Sequence, residues 1–328
     1  MAEKPSLTDI FSAMTANETI EAAKTEKNPK KLWKEFWYEN EVCCLFADAN
    51  VGKSILAVQI GNYIADNILK GDEHILYYDF ELSKKQFELR YTDEKNKSTF
   101  KFSDRFIRVE LDADKVKDYC ESTKEVFDDV IVNGIEANIN KYNSKILIVD
   151  NLSWLVNMKD TATTAGKLMK RLCELKKKYH ASILVLSHTP KRNLGSPLTQ
   201  NSLSGSKKLT NFFDAMFAVG QSIKDNTLRY VKQIKVRTGE FKYGANHVDI
   251  CKIEKSGSFL GFTHIGYSTE EEQLKGGNNK LPSSTKGSGT KKLQGKRINK
   301  RMFRSHLASA QIDLVSQMAE EAFATFSK

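Results

Sequence analysis

The stretch Leu45-Phe46-Ala47-Asp48-Ala49-Asn50-Val51-Gly52-Lys53-Ser54 constrains the fold more than any other part of the chain. An apolar run enters a Gly-Lys-Ser turn and leaves it as Ile55-Leu56-Ala57-Val58, the start of a helix. A strand turning this tightly into a helix aims consecutive backbone N–H groups, and the positive end of the helix dipole, at one point, which suits a phosphate group. In such a phosphate loop Ala47, Asp48, Ala49, Asn50, Val51, Gly52, Lys53, Ser54 and Ile55 form the cradle. Lys53 reaches the β- and γ-phosphates and the Ser54 hydroxyl holds Mg²⁺. The pattern departs from G-x4-G-K-[ST] at its first position, where Ala47 replaces glycine. Alanine cannot take φ > 0 without cost, so the exit from the strand must use backbone that an L-residue tolerates. The competing reading is a chance Gly-Lys-Ser between a strand and a helix.

Around this turn, apolar runs alternate with helical spacing. Runs at Val42–Ala47, His74–Asp79, Phe106–Leu111, Lys145–Asp150 and Ser182–Ser187 are separated by helices after Lys53, after Ser83, from Val116 to about Ala137, and from Ala165 to Tyr179. Buried strands divided by helices make βαβ units, hence an α/β fold with a mostly parallel central sheet covered on both faces. Past a Pro-, Gly- and Asn-rich loop at Thr189–Ser206, runs at Ala215–Val219, Leu228–Val236, His247–Ile253 and Phe259–Ile265 predict antiparallel strands added to one edge. The expected organisation is an N-terminal helical appendage over 1–40, with a helix from Ser6 to about Ala23 and a polar connector at Asn28–Lys34. The domain that carries the phosphate loop follows over 41–267, then a flexible basic linker over 268–300 and a C-terminal helix over 301–328.

Charge supports that division. Ten basic residues and no acid lie between Lys275 and Arg304, while the rest of the chain carries 41 of each sign. The expected globular part is neutral and the basicity sits in the tail, which binds nucleic acid by counterion release or serves as a solubilising tether. No apolar stretch is long enough to span a bilayer and no signal pattern opens the chain, which predicts a cytoplasmic protein. The five cysteines form neither a disulfide framework nor a zinc pattern.

Three further strand ends carry chemistry. Ile146-Leu147-Ile148-Val149-Asp150 ends in a carboxylate suited to orient Mg²⁺ from a strand expected beside the phosphate loop, although an Asp capping the next turn would look the same. Glu81 follows the strand after the phosphate-loop helix and faces the γ-phosphate across the crevice, as a general base for water. Ser83 and Gln86 there also fit a helix-capping box. Ile183-Leu184-Val185-Leu186-Ser187-His188 ends in an imidazole able to sense the γ-phosphate, or in an ordinary satisfied histidine.

In this order the four pieces resemble the RecA-like ATPase superfamily, and within it the hexameric DnaB-type replicative helicases and plasmid RepA helicases, over roughly Val42 to Ile265. Phe80-Glu81-Leu82-Ser83 with Gln86 and Arg90 looks like the catalytic-glutamate segment, Ser187-His188-Thr189 like the third motif, and Gly205-Ser206 like the small pair after the DNA-facing loop. Lys235-Val236-Arg237 is similar to the element that the family inserts into a neighbouring subunit's ATP site, where a cation stabilises the transferring phosphoryl group. Otherwise it is a solvated basic strand face with Lys232. The resemblance implies ATP and Mg²⁺ as cofactors and a ring-shaped homo-oligomer, hexameric in the family's manner. It also implies single-stranded DNA held by Lys191, Arg192, Lys207 and Lys208, and a replication or mobilisation protein met through the tail. A recombination ATPase of the RecA/RadA kind and an ATP-gated regulatory protein fit the same residues.

Overall fold

The computed structural model describes residues 11, 13–151, 162–203 and 207–275, without the side chains of 162–164, 207 and 208. The expected C-terminal helix, the Gly205-Ser206 pair and most of the basic linker lie outside the described residues.

The chain begins with helix α1 (Ala16–Ala23), opened by a capping box in which Thr15 and Glu18 satisfy each other's backbone N–H groups. It buries no residue. Strands β1 (Lys31–Trp33) and β2 (Trp37–Tyr38) then form a hairpin where the sequence suggested only a polar connector. Leu32, Phe36 and Trp37 are buried in the core, so the expected boundary at residue 40 is corrected: the hairpin belongs to the ATPase domain.

The nine-stranded central sheet is built from β3 (Val42–Ala47), β4 (His74–Asp79), β7 (Phe106–Glu110), β8 (Ser144–Asp150), β9 (Ser182–His188), β10 (Ala215–Gln221), β11 (Leu228–Lys235), β12 (Val248–Ser256) and β13 (Phe259–Ser268). Its spatial order is β13-β12-β11-β10-β3-β9-β8-β4-β7. The run from β10 to β7 is parallel, and β11, β12 and β13 join it antiparallel. Alternate side chains of each buried strand feed two cores. Val42, Cys44 and Phe46 pack on one face, and Cys43, Leu45 and Ala47 on the other, beneath α2 (Lys53–Asn67). The opposite face is covered by α5 (Phe127–Lys141) and α6 (Ala162–Tyr179).

Several details differ from the sequence expectation. β9 lies between β3 and β8, so Asp150 stands one strand further from the phosphate loop than expected. The single helix expected from Val116 is two, α4 (Ala113–Thr123) and α5, because Lys124 takes a left-handed conformation at φ 61° that ends the first. Between α3 (Lys84–Arg90) and β7 a small hairpin, β5 (Thr92–Asp93) with β6 (Ser98–Thr99), was not anticipated. The fold also continues past residue 267. Helix α7 (Glu270–Leu274) is anchored by Glu270, which is buried and accepts from the Leu198 N–H (2.8 Å) and from Lys232 (2.5 Å). A paired, buried Lys232 is not part of a solvated strand face. Among the described residues no helix is long and apolar enough to cross a membrane.

Candidate nucleotide site

All the parallel strands point their carboxyl ends at one edge of the sheet, and Lys53, Ser54, Glu81, Asp150 and His188 meet there. The phosphate loop leaves β3 with Asn50 at φ 61° and Gly52 at φ 107°, both left-handed. Glycine suits this position on two counts. Its φ disfavours any side chain, and an added Cβ would lie 2.6 Å from Ile253 Cδ1. No side chain caps the first turn of α2, which leaves its N-terminal amides for an anion.

Lys53, buried at the head of α2, donates to His188 Nδ1 at 3.0 Å. Burial pushes the Lys53 pKa down, with the more distant charges of Asp150, Glu81 and Asp48 opposing. An ammonium is a donor only, so His188 Nδ1 accepts from it, and Nε2 is the ring nitrogen turned toward Glu81 and Asn151. That nitrogen lies 3.6 Å from Glu81 Oε1 and 3.2 Å from the Asn151 side-chain amide, which also contacts Glu81. The His188 ring beside it comes first among the influences that hold the Glu81 carboxyl below its ordinary value, against partial burial. Lys53, Glu81 and His188, singled out in sequence, are thus brought together, and Asn151 joins them although the sequence reading gave it no role; only its place directly after Asp150 could have signalled it.

Glu81 is held by its backbone. Asp79 Oδ1 accepts from the N–H groups of Glu81 (3.1 Å) and Leu82 (2.9 Å), while Asp79 Oδ2 takes the Arg108 guanidinium at 2.9 Å. Arg108 also reaches the Leu82 carbonyl and Glu110. The capping box of Ser83 and Gln86 is present as well and starts α3. It coexists with the catalytic reading, because it uses neither Glu81 nor Asp79.

Asp150 is buried, and Tyr77 donates to its Oδ2 at 2.6 Å. Burial raises its carboxyl pKa to about 6, opposed by the Tyr77 and Ser54 hydroxyls. Its other oxygen, Oδ1, is buried without a hydrogen-bond partner. A buried carboxylate with one orphaned oxygen, next to the Ser54 hydroxyl, is the donor set that an octahedral, oxygen-loving Mg²⁺ requires, so these residues fit the ion.

The outer cations divide. Arg192 folds back onto Asp48, with Nη2 at 3.0 Å from Oδ2, and its side chain is only 12% exposed. Thr189 contacts the same carboxylate. Arg192 is thus a fastener of the phosphate loop, in place of the solvent-facing cation expected from sequence. Lys191 is exposed, and Lys207 and Lys208 begin a short 3₁₀ turn. Lys235 and Arg237 lie away from this edge. Lys235 pairs in register with Met216, which pairs with Cys44 near the start of β3. β11 ends at Lys235, leaving Arg237 in the following turn. Lys235 donates to the carbonyls of Thr210 (3.0 Å) and Phe213 (2.6 Å), and Arg237 to Asp214 (2.8 Å).

The family profile of the AAA domain matches residues 11–193, more than half of the chain and the whole stretch from the phosphate loop to His188. No curated protein matches the sequence significantly. Among solved structures, a KaiC-like protein from the hyperthermophilic archaeon Pyrococcus horikoshii OT3 aligns over 69% of this chain and 91% of its own, at 14% identity and a TM-score of 0.46. With the phosphate loop, the two strand-end acids and the histidine held at one edge of the sheet, and the profile spanning all of them, the chain belongs to the AAA-domain family of P-loop ATPases.

Proposed function

We propose that this protein is an oligomeric, Mg²⁺-dependent ATPase whose hydrolysis is coupled to single-stranded DNA, similar in role to RepA-type replicative helicases of plasmids and mobile elements. The observation that carries the ATPase part is the line Lys53, His188, Glu81 across the carboxyl ends of the sheet. Lys53 and the first amides of α2 bind the phosphates, and Ser54 with Asp150 Oδ1 holds the metal. Mg²⁺, when bound, neutralises charge on the phosphate oxygens. Glu81, kept ionised by its low pKa, orients a water and accepts its proton. His188 stands between Lys53 and Glu81, where an arriving γ-phosphate would compete for the Lys53 ammonium and so register its presence.

The DNA coupling rests on the resemblance and on one supporting contact. The segment carrying Lys191 is tied to the phosphate loop through Thr189 and Arg192 on Asp48, so a change in the loop is felt where a strand's phosphates would be held. Lys235 and Arg237, remote from their own phosphate loop, suit action on a neighbouring subunit.

The test is the steady-state ATPase rate of the full chain with and without single-stranded DNA, with Glu81→Gln as control. DNA stimulation that disappears in the variant supports the reading. A rate indifferent to DNA favours an ATP-gated regulatory protein, and stimulation without unwinding of a forked duplex favours a recombination ATPase. Mixing Arg237→Ala with Glu81→Gln subunits should restore turnover; no recovery removes the cross-subunit role.

A further inference from the structure

Arg229 attracts no notice in the sequence, and it lies outside the stretch matched by the family profile. In the fold it sits near the start of β11, opposite Gln221 and Cys251. Ala47, Val219 and Val231 line up across β3, β10 and β11, and Arg229 lies on the same face as Val231, two residues nearer the carboxyl edge of the parallel strands. This brings its guanidinium to the phosphate loop. Nε donates to the Val51 carbonyl at 3.0 Å, and Nη1 to the carbonyls of Asn226 (2.8 Å) and Leu228 (2.9 Å).

Every one of these acceptors is neutral. Among the described residues no carboxylate lies within ion-pair distance of Arg229, and its Nη2 has no acceptor. Burial lowers its pKa with no opposing charge. Arg192, on the other flank of the same loop, has its charge cancelled by Asp48. A half-buried guanidinium without a counter-ion is costly unless an anion arrives, and the loop that it touches is the phosphate cradle. The contact has a second consequence. In a trans peptide the carbonyl and the following N–H point in opposite directions, so holding the Val51 oxygen toward β11 fixes the direction of the Gly52 N–H, one of the cradle's donors.

We propose that Arg229 is a nucleotide-binding residue of this site, which orients the Gly52 amide and supplies a positive charge that the nucleotide's phosphates neutralise. The proposal rests on the reading of residues 47–55 as a phosphate loop. Arginine is suited to both tasks at once, because its planar fork can keep the carbonyl while a further N–H meets a phosphate oxygen.

The experiment is equilibrium binding of fluorescent ADP to the full-length chain, at two salt concentrations, for wild type, Arg229→Gln, Arg229→Lys and Lys53→Ala, with thermal unfolding of each. Arg229→Gln should weaken ADP binding about tenfold, the effect of roughly 1.4 kcal/mol. It should also flatten the salt dependence of affinity, and Arg229→Lys should recover most of the loss because it keeps the charge. Equal weakening in Arg229→Gln and Arg229→Lys, with unchanged salt dependence, would overturn the charge assignment and leave a structural anchor. ADP affinity unaltered in Arg229→Gln while Lys53→Ala loses it would overturn the proposal and spare the phosphate loop. Affinity unaltered in both would instead sink the phosphate-loop reading itself.

Discussion

The two ends of the central sheet both gather cations, and they treat them differently. At the edge of the phosphate loop, Lys53 and Arg229 have no carboxylate within ion-pair distance among the described residues; their partners are an imidazole and three carbonyls. At the far end, Asp214 takes Lys176 and Arg237 (2.7 and 2.8 Å) and the Val42 N–H (2.9 Å), and Lys235 is held by two carbonyls beside it. Charge left uncompensated marks a place that awaits an anion, since an unpaired buried ion is expensive to maintain. Charge compensated within the chain holds the fold together. Two cations cross this division, Arg192 paired with Asp48 at the binding edge and Lys235 held only by carbonyls at the far end, so the contrast rests on Lys53 and Arg229 against Lys176 and Arg237.

The sharpest way to break that contrast is at Lys53. Lys53→Ala should lower ATP turnover by between about 10² and 10³-fold, as expected for removing a preorganised cation from developing charge. Turnover near the wild-type rate would mean that the uncompensated edge is not a phosphate site.

The next largest effect concerns what the binding edge costs. With the Asp150 carboxyl raised to about 6 from an ordinary 3.8, the unfolded chain loses this proton at a lower pH than the folded chain does. Stability therefore falls as pH rises from about 4 to 6 and stays low above. Asp150→Asn, free of metal and nucleotide, should be more stable than wild type at pH 7 by on the order of 3 kcal/mol, with the difference closing toward pH 4. Thermal unfolding against pH reads this directly. A variant no more stable than wild type would show that Asp150 is not a strained metal ligand in waiting.

The parallel half was legible in sequence, and the physical reason is length and burial. Strands such as Val42–Ala47 and His74–Asp79 are almost wholly buried because both faces are covered, and the second ends in a carboxylate at the functional edge. What escaped is what depends on neighbours brought from far along the chain. The hairpin at Lys31–Tyr38 has only two or three residues per strand, too few for a periodic signal, and it is fixed by packing of Leu32 and Trp37. The placement of β9 between β3 and β8 is a matter of topology. The division of labour among Arg192, Arg229 and Arg237 is set by whether Asp48, only carbonyls, or Asp214 stands opposite, and nothing local to each arginine says so.

Arg192 offers a smaller test of the same contrast. It lies at the binding edge and yet is compensated, so its removal should act through the carboxylate that it leaves behind. Arg192→Met strands Asp48 beside the phosphates and should weaken ADP binding about threefold to tenfold, a cost of roughly 1 kcal/mol. The double variant Asp48→Asn with Arg192→Met should recover most of that loss in a double-mutant cycle. Additive losses would show that Arg192 meets the nucleotide directly, as Arg229 is argued to do.

The smallest effect is expected at the far end. Burial pushes the Asp214 carboxyl up, but the hydrogen bonds from Lys176 and the Val42 N–H, and the charges of Lys176 and Arg237, outweigh it and hold the pKa below 3.8. A lowered carboxyl contributes stability that is present above its unfolded pKa and lost as pH falls through the folded one. Asp214→Asn keeps the shape and weakens three bonds without deleting them, so it should cost about 1 kcal/mol at pH 7 and progressively less in acid. ADP affinity should not change, because every contact of Asp214 lies at the opposite end of β3 from the phosphate loop. A drop in ADP affinity beyond about twofold would show that the two edges communicate through β3 and β10. The far-end cations would then belong to the nucleotide site of their own chain and not to a neighbour's.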